Sequence, residues 1–329
     1  MFMGRAGKLK LLFLLGCLFA SFFVLANVYA DQGKDQALAK AMLLAQNSDD
    51  SIPTANYRQE LGKTIVVEEE YFPHNLDSYV RSMPLTGAKS QSGKVGLIAS
   101  AAEYNYKIKL FDKIPIEFGV ATKYIGINNS TVVKLPAKLT SFGMGVETTL
   151  PFFNLDKTYF TIALAPSFYS QNWNFRSDSF HLLQNYFLIY QPNEKLTLVL
   201  GANYSPGFKA PVSPIAGFIY RPNDRLTFNL IPSNPEISYD LNGKWTAFVQ
   251  GGYVGDEYKV TQNGLKNVVL DYNEIRGGAG LRYSPNKHIE GSLSVGGVFN
   301  RSIEYRQDSL GKVALENGFY SEFRLSIMI

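Results

Sequence analysis

Three side chains near the middle of the chain have the types that a hydrolytic relay needs: Asp178, Ser179 and, two residues on, His181. A carboxylate that orients an imidazole, and an imidazole that activates water or a hydroxyl, are the parts of general acid–base catalysis. Successive residues of a strand point to opposite faces, so this spacing does not by itself make the three converge. His74 follows Pro73 and His288 follows a Pro-Asn-Lys turn, both positions suited to hydrated loop residues. Glu68, Glu69 and Glu70 form an acidic run that would attract a cation or end a strand in water. The stretch Gly277-Gly278-Ala279-Gly280 sits inside an alternating apolar pattern with no helix after it, whereas a phosphate-binding loop needs that helix. No His/Cys spacing suits zinc and no EF-hand loop is present. The sequence therefore assigns no catalytic, cofactor-binding or metal-binding residue, and the main expectation is a protein that is not an enzyme.

The single cysteine, Cys17, lies in an amino-terminal segment with the form of a secretory signal peptide. Arg5, Lys8 and Lys10 precede the apolar run Leu11–Ala26, and Val28-Tyr29-Ala30 offers a small-residue cleavage site. Leu14-Leu15-Gly16-Cys17 also has the form of a lipoprotein acylation box, with only a short apolar core before it. Removing residues 1–30 takes away three bases and no acids, leaving 29 Lys and Arg against 28 Asp and Glu. The balance gives no polyanion footprint, so no nucleic-acid partner is expected. The remaining chain lacks the thiols for a disulfide scaffold.

What would position any functional group is a set of strands. Phe and Tyr number 23 and 20 against 2 Trp, and the apolar pattern from Lys94 onward has period two. In Lys195–Tyr204, for example, Leu196, Leu198, Leu200, Ala202 and Tyr204 share a face opposite Lys195, Thr197, Gly201 and Asn203. Thirteen candidate strands follow: 94–110, 114–127, 138–150, 158–170, 180–191, 195–205, 212–221, 225–231, 235–241, 244–260, 268–284, 287–306 and 318–329. Several are longer than globular strands usually are and long enough to cross a bilayer at a tilt. Tight turns at 111, 154, 192, 222, 242 and 285 alternate with longer polar loops at 128–137, 171–179, 205–212, 261–267 and 307–317. The pattern predicts an all-β, transmembrane, antiparallel up-and-down barrel with short periplasmic turns and longer extracellular loops. An even count with both ends periplasmic needs one more strand, expected at Gly62–Phe72, which makes about 14, with 12 as the alternative.

A phrase recurs at the tight turns: YQPNEKLTL from Tyr190, YRPNDRLTF from Tyr220, YSPNKHIEG from Tyr283 and, more loosely, YDLNGKWTA from Tyr239. Proline presets a turn, asparagine tolerates the left-handed conformation, and the four tyrosines are expected to form a periplasmic girdle at the lipid boundary. The polar face of the strands carries Glu103, Lys107, Lys109, Glu117, Lys123, Glu147, Arg276, Arg282, Glu290 and Arg324. Charge on a lipid face is costly, so these are expected to face the lumen, where mixed signs either pair and seal it or line a weakly selective path.

The chain ends on EFRLSIMI, with Phe323, Leu325, Ile327 and Ile329 on one face to the last residue. This resembles the carboxy-terminal signal that the barrel-assembly machinery reads, with isoleucine in the usual place of phenylalanine. From about Tyr71 onward, and most clearly in the proline-bounded stretch Leu226–Val260, the chain resembles a family of bacterial outer-membrane β-barrel proteins of unknown function. The resemblance implies a fold and a location, with outer-membrane lipid and the assembly machinery as partners, and no activity. Residues 31–61 read as a periplasmic arm or plug, or as a disordered tail, and residues 62–329 as the barrel. The expected function is passive passage or transport of a small solute. The alternatives are a hydrolase at the loop rim and a structural or adhesive surface barrel with a sealed lumen.

Overall fold

The structure, a computed structural model, describes residues 72–329 apart from 111–113, 154, 174, 233, 263 and 308–309. The signal segment, the arm at 31–61, the acidic run and the expected strand at Gly62–Phe72, except for Phe72 itself, lie outside the described residues. The strands are β1 His74–Gly87, β2 Lys94–Leu110, β3 Ile114–Asn129, β4 Lys138–Pro151, β5 Thr158–Ser170, β6 Phe180–Asn193, β7 Leu196–Tyr204 and β8 Val212–Tyr220. They continue with β9 Leu226–Asn229, β10 Glu236–Asp240, β11 Trp245–Gln262, β12 Leu265–Asn286, β13 Ile289–Tyr305, β14 Lys312–Ala314 and β15 Gly318–Met328. β14 is a short rung on β13; the other 14 strands form an antiparallel ring, closed where β15 pairs with both β1 and β13. His74 and Ile329 exchange both backbone hydrogen bonds, 2.9 and 2.8 Å, so the last residue belongs to the seam.

The strand that completes the even count is His74–Gly87, a segment the period-two pattern passes over. Its inward side is charged, and Pro84 falls at a register shift between Met83 and Thr86. The connection expected as a loop at 261–267 is also different: β11 and β12 run on and pair Gln262 with Leu265. Thr261 N–H donates to Gln171 Oε1 at 3.1 Å and Gln262 Nε2 to the Lys134 carbonyl at 2.8 Å, which ties these polar residues to the neighbouring loops.

Sidedness follows the alternation. Val80, Ile98, Val120, Met144, Leu200, Val249, Leu293 and Val295 are exposed on the outside, while Asp77, Arg81, Glu103, Lys123, Asp256, Glu274 and Glu322 are buried inside. Apolar outside and charged inside is the inverse of a soluble protein and the pattern of a membrane-spanning barrel. The start of β1, the last residue Ile329 and most of the tight turns share one end, here the terminal end. The recurring phrase has a single hydrogen-bonding explanation there. Asn193, Asn223, Asn242 and Asn286 each accept, through Oδ1, the backbone N–H groups two and three residues on, at 2.9–3.1 Å. None of the four has positive φ, so asparagine is used as an acceptor that closes the turn and not for left-handed backbone.

The wall does not have 14 strands at every height. β9 and β10 are four and five residues long, and β8 meets β9 over only two residue pairs. β11 pairs with β10 only over Thr246–Gln250; beyond this it crosses to β5, where Lys259 pairs in parallel with Ser170 and its carbonyl accepts the N–H of Gln171 at 3.2 Å. Near its distal end the barrel is therefore closed a second time through this one residue pair, as a nine-strand ring of β1–β5, β11–β13 and β15. An eight-strand barrel is just wide enough to be filled by its own side chains. This ring is filled likewise, by Leu97, Ile125, Leu139, Val260, Leu270, Ile303, Tyr305 and Val313, with Val133, Leu135 and Leu310 of the distal loops packed on them.

Candidate functional site

Below the apolar filling the barrel holds a small charged chamber. It is lined by four cations (Arg81, Lys123, Arg276, Arg324) and three acids (Asp77, Glu103, Glu322), with Tyr320 and Gln250. The side wall is completed by the β9–β10 connection, which turns into the lumen. Ile231 packs on Phe187, Ile189, Val199, Ile215 and Ile219, and Asn234 reaches the chamber. Gly217 of β8 is needed for this approach, since a Cβ there would lie 2.7 Å from the Ile231 Cα.

The charges are organised by strand pairing. Arg81 and Glu322, from the first and last strands, meet at Nε–Oε2 2.7 Å, and Arg324 adds Nη2–Oε1 3.2 Å, with both guanidiniums over the Tyr79 ring. Lys123 Nζ spans the interior from β3 to Asp256 Oδ2 of β11, at 2.8 Å. Arg276 Nη1 lies 3.3 Å from Glu274 Oε1, whose carboxylate also takes the Tyr272 hydroxyl at 2.5 Å. Towards the terminal end Arg282 bridges Glu236 and Glu290, at 2.9 and 3.0 Å.

Of the ten charges expected in the lumen, Glu103, Lys123, Arg276 and Arg324 line the chamber. Arg282 and Glu290 pair below it, Lys107 and Glu117 pair at 3.8 Å, Glu147 is buried opposite Glu117, and Lys109 is exposed near the β2–β3 turn. Tyr190, Tyr220, Tyr239 and Tyr283 all lie on the outer face near the terminal-end turns, 39–44% exposed, and the Tyr283 ring lies tilted against Trp245, with centroids 4.6 Å apart. Asp77, Arg81, Asp256, Glu274 and Glu322 were not singled out by sequence. Asp77 and Arg81 lie in the overlooked β1, and each of the others sits on the polar side of an alternating strand, which was the available signal.

Asp178, Ser179 and His181 are not assembled into a relay. Ser179 Oγ donates to the Arg176 carbonyl at 2.8 Å, Asp178 pairs with Arg176, and His181 Nδ1 is bound to the Pro206 carbonyl at 3.0 Å between Tyr169 and Phe208. Gly278 and Gly280 of the glycine-rich stretch leave the room that Tyr320 and Phe248 fill inside the barrel. Among the described residues no group of three His, Cys, Asp or Glu side chains is placed to hold a metal.

Residues 112–329, more than half of the chain, match the family described as a domain of unknown function, DUF6268. The chain belongs to this family. No curated protein matches it. Among solved structures it is similar to an outer membrane channel from Pseudomonas putida F1, at 9% identity and TM-score 0.46, over 80% of this chain and 98% of that one. A FadL homologue of Pseudomonas aeruginosa aligns at 10% identity and TM-score 0.41, over 78% of this chain and 89% of that one. The KdgM porin aligns at 9% identity and TM-score 0.31, over 77% and 99%. For this DUF6268 protein the barrel is established by its own strand pairings.

Proposed function

We propose that the protein is a channel or transporter for a small solute in the bacterial outer membrane, exported by a cleaved signal at residues 1–30 and inserted through its last strand. The observation that carries this reading is the position of a charged chamber directly beneath an apolar closure. Solute held in the chamber is stopped at the distal side by the nine-strand ring, so passage requires β11 and the loops over it to move. The protein is on this reading a gated path and not a permanently open pore. Residues 31–61 are on this reading a periplasmic arm or plug.

Single-channel recording of the refolded protein in planar bilayers tests this. Wild type is expected to show rare or small steps, and Leu97→Ser with Leu270→Ser, which wets the closure, larger and more frequent ones; deletion of residues 31–61 raises conductance further if they plug the chamber. Silence in every form, with heat-modifiable mobility proving a folded barrel, would defeat the transport reading. It would favour the structural barrel, which the same closure also suits.

A further inference from the structure

One buried cation takes no part in the ion pairs of the chamber. Arg301 lies on β13 at an irregularity: Asn273 pairs with Ser302 and Ile275 with Phe299, so Glu274 faces two residues, Asn300 and Arg301, and Asn300 has φ +49°. The extra residue resets the alternation. Val298 and Arg301 are both buried inside, at 1% and 2% exposure, while Phe299 between them is 43% exposed on the outside. The backbone is pinned there, because Leu315 N–H donates to the Arg301 carbonyl at 2.9 Å. Yet among the described residues Nε, Nη1 and Nη2 of Arg301 have no hydrogen-bond partner. The facing carboxylate, Glu274, is engaged by Tyr272 and Arg276, and Glu322 by Arg81 and Arg324.

A guanidinium has five donors in a rigid fork and cannot shed its charge, so it is among the costliest groups to bury without acceptors. Bulges that aim a side chain are built features of strands and gather beside functional sites. We infer that Arg301 anchors an anion-binding site inside the barrel, between the buried Val298 and Ile303 of the same strand, and that its ligand is a small oxyanion, the carboxylate or phosphate group of a solute. The fork of Arg301 matches either group bidentately. The inference deepens the proposed function and rests on a solute entering the barrel interior.

Calorimetric titration of sodium phosphate and of sodium acetate into the refolded protein in detergent tests it. Saturable binding of at least one is expected in wild type. Arg301→Met should abolish it, Arg301→Lys should weaken it by roughly tenfold or more, and Arg225→Met in the β8–β9 turn should leave it unchanged. Acetate alone identifies a carboxylate site, phosphate alone a phosphate site, and both a general oxyanion site. Wild type binding neither probe, or Arg301→Lys binding as tightly as wild type, overturns the inference, and the lysine variant keeps the test valid if Arg301→Met does not fold. Binding without any channel activity would keep the site and defeat the transport reading; channel activity without binding would do the reverse.

Discussion

Lys123→Met should be among the most damaging single changes inside the barrel. Lys123 and Asp256 belong to strands that are not neighbours, so their 2.8 Å contact is a strut across the interior, with side chains 6% and 0% exposed. It fixes β11 in the half where that strand has left β10 for β5. Asp256 Oδ2 also accepts the Tyr258 hydroxyl at 3.1 Å, and Oδ1 has no partner. Methionine keeps most of the volume of lysine but leaves a buried carboxylate held by one hydroxyl. Breaking one side of a buried pair costs about 3–5 kcal/mol, which at 1.4 kcal/mol per decade is roughly two to three and a half orders of magnitude in the folding equilibrium. The double change Lys123→Met, Asp256→Asn removes the stranded charge and keeps an acceptor for Tyr258, so it should recover about 2 kcal/mol or more of that loss. Urea unfolding in detergent, followed through Trp173 and Trp245, measures both, and planar-bilayer recording should show more frequent openings for the single variant. If Lys123→Met stays within about 1 kcal/mol of wild type, less than the net worth of a charged hydrogen bond, or if the double variant is as unstable as the single, the strut is not what holds β11.

Two other predictions concern the wall. Replacing Asn193, Asn223, Asn242 or Asn286 with alanine should cost about 1 kcal/mol each and add across the four separated turns, while aspartate at the same positions, an equivalent acceptor, should be close to neutral; urea midpoints of the single and combined variants decide it. Leu293→Arg, placed at a position 60% exposed on the outer face, should destabilise the barrel in lipid by about 2–4 kcal/mol if the site lies near mid-membrane. In lipid the effect should exceed that of Lys195→Ala in the β6–β7 turn, and equal effects would mean that this face does not meet hydrocarbon.

Much of the barrel was legible because period two is a local signal. The segments 94–110 and 158–170 have the limits read from alternation, and most others differ by a residue or two at an end. β1 escaped for a physical reason. Its inner side carries Asn75, Asp77 and Arg81, and its outer side mixes Leu76 and Val80 with Ser78 and Ser82, so it has little strand propensity of its own. It is a strand because β2 and β15 supply hydrogen bonds on both sides, and propensity in sheets is largely a report on neighbours. The candidate site was legible to the same depth. Alternation says which side chains point inward and is silent about partners, so Lys123 could be placed inside but not joined to Asp256, and the bulge that turns Arg301 inward breaks the very rule that would have located it.

The closure of the lumen follows from an inequality of lengths that the sequence does contain. β10 has five residues beside the 18 of β11, because Pro232 and Pro235 bound the short runs on either side. A long strand beside a short one is left with an unpaired edge, and an edge is costly in a membrane and prone to pairing elsewhere in water. β8, with the same problem, carries Pro214 on its unpaired stretch, which removes one donor. β11 instead finds β5, and that single exchange reduces the ring from 14 strands to nine at the level of this contact, near the distal end. A ring of nine leaves space for side chains and not for a water column. The second closure of the ring above the charged chamber is thus a consequence of two strands being too short to reach the rim.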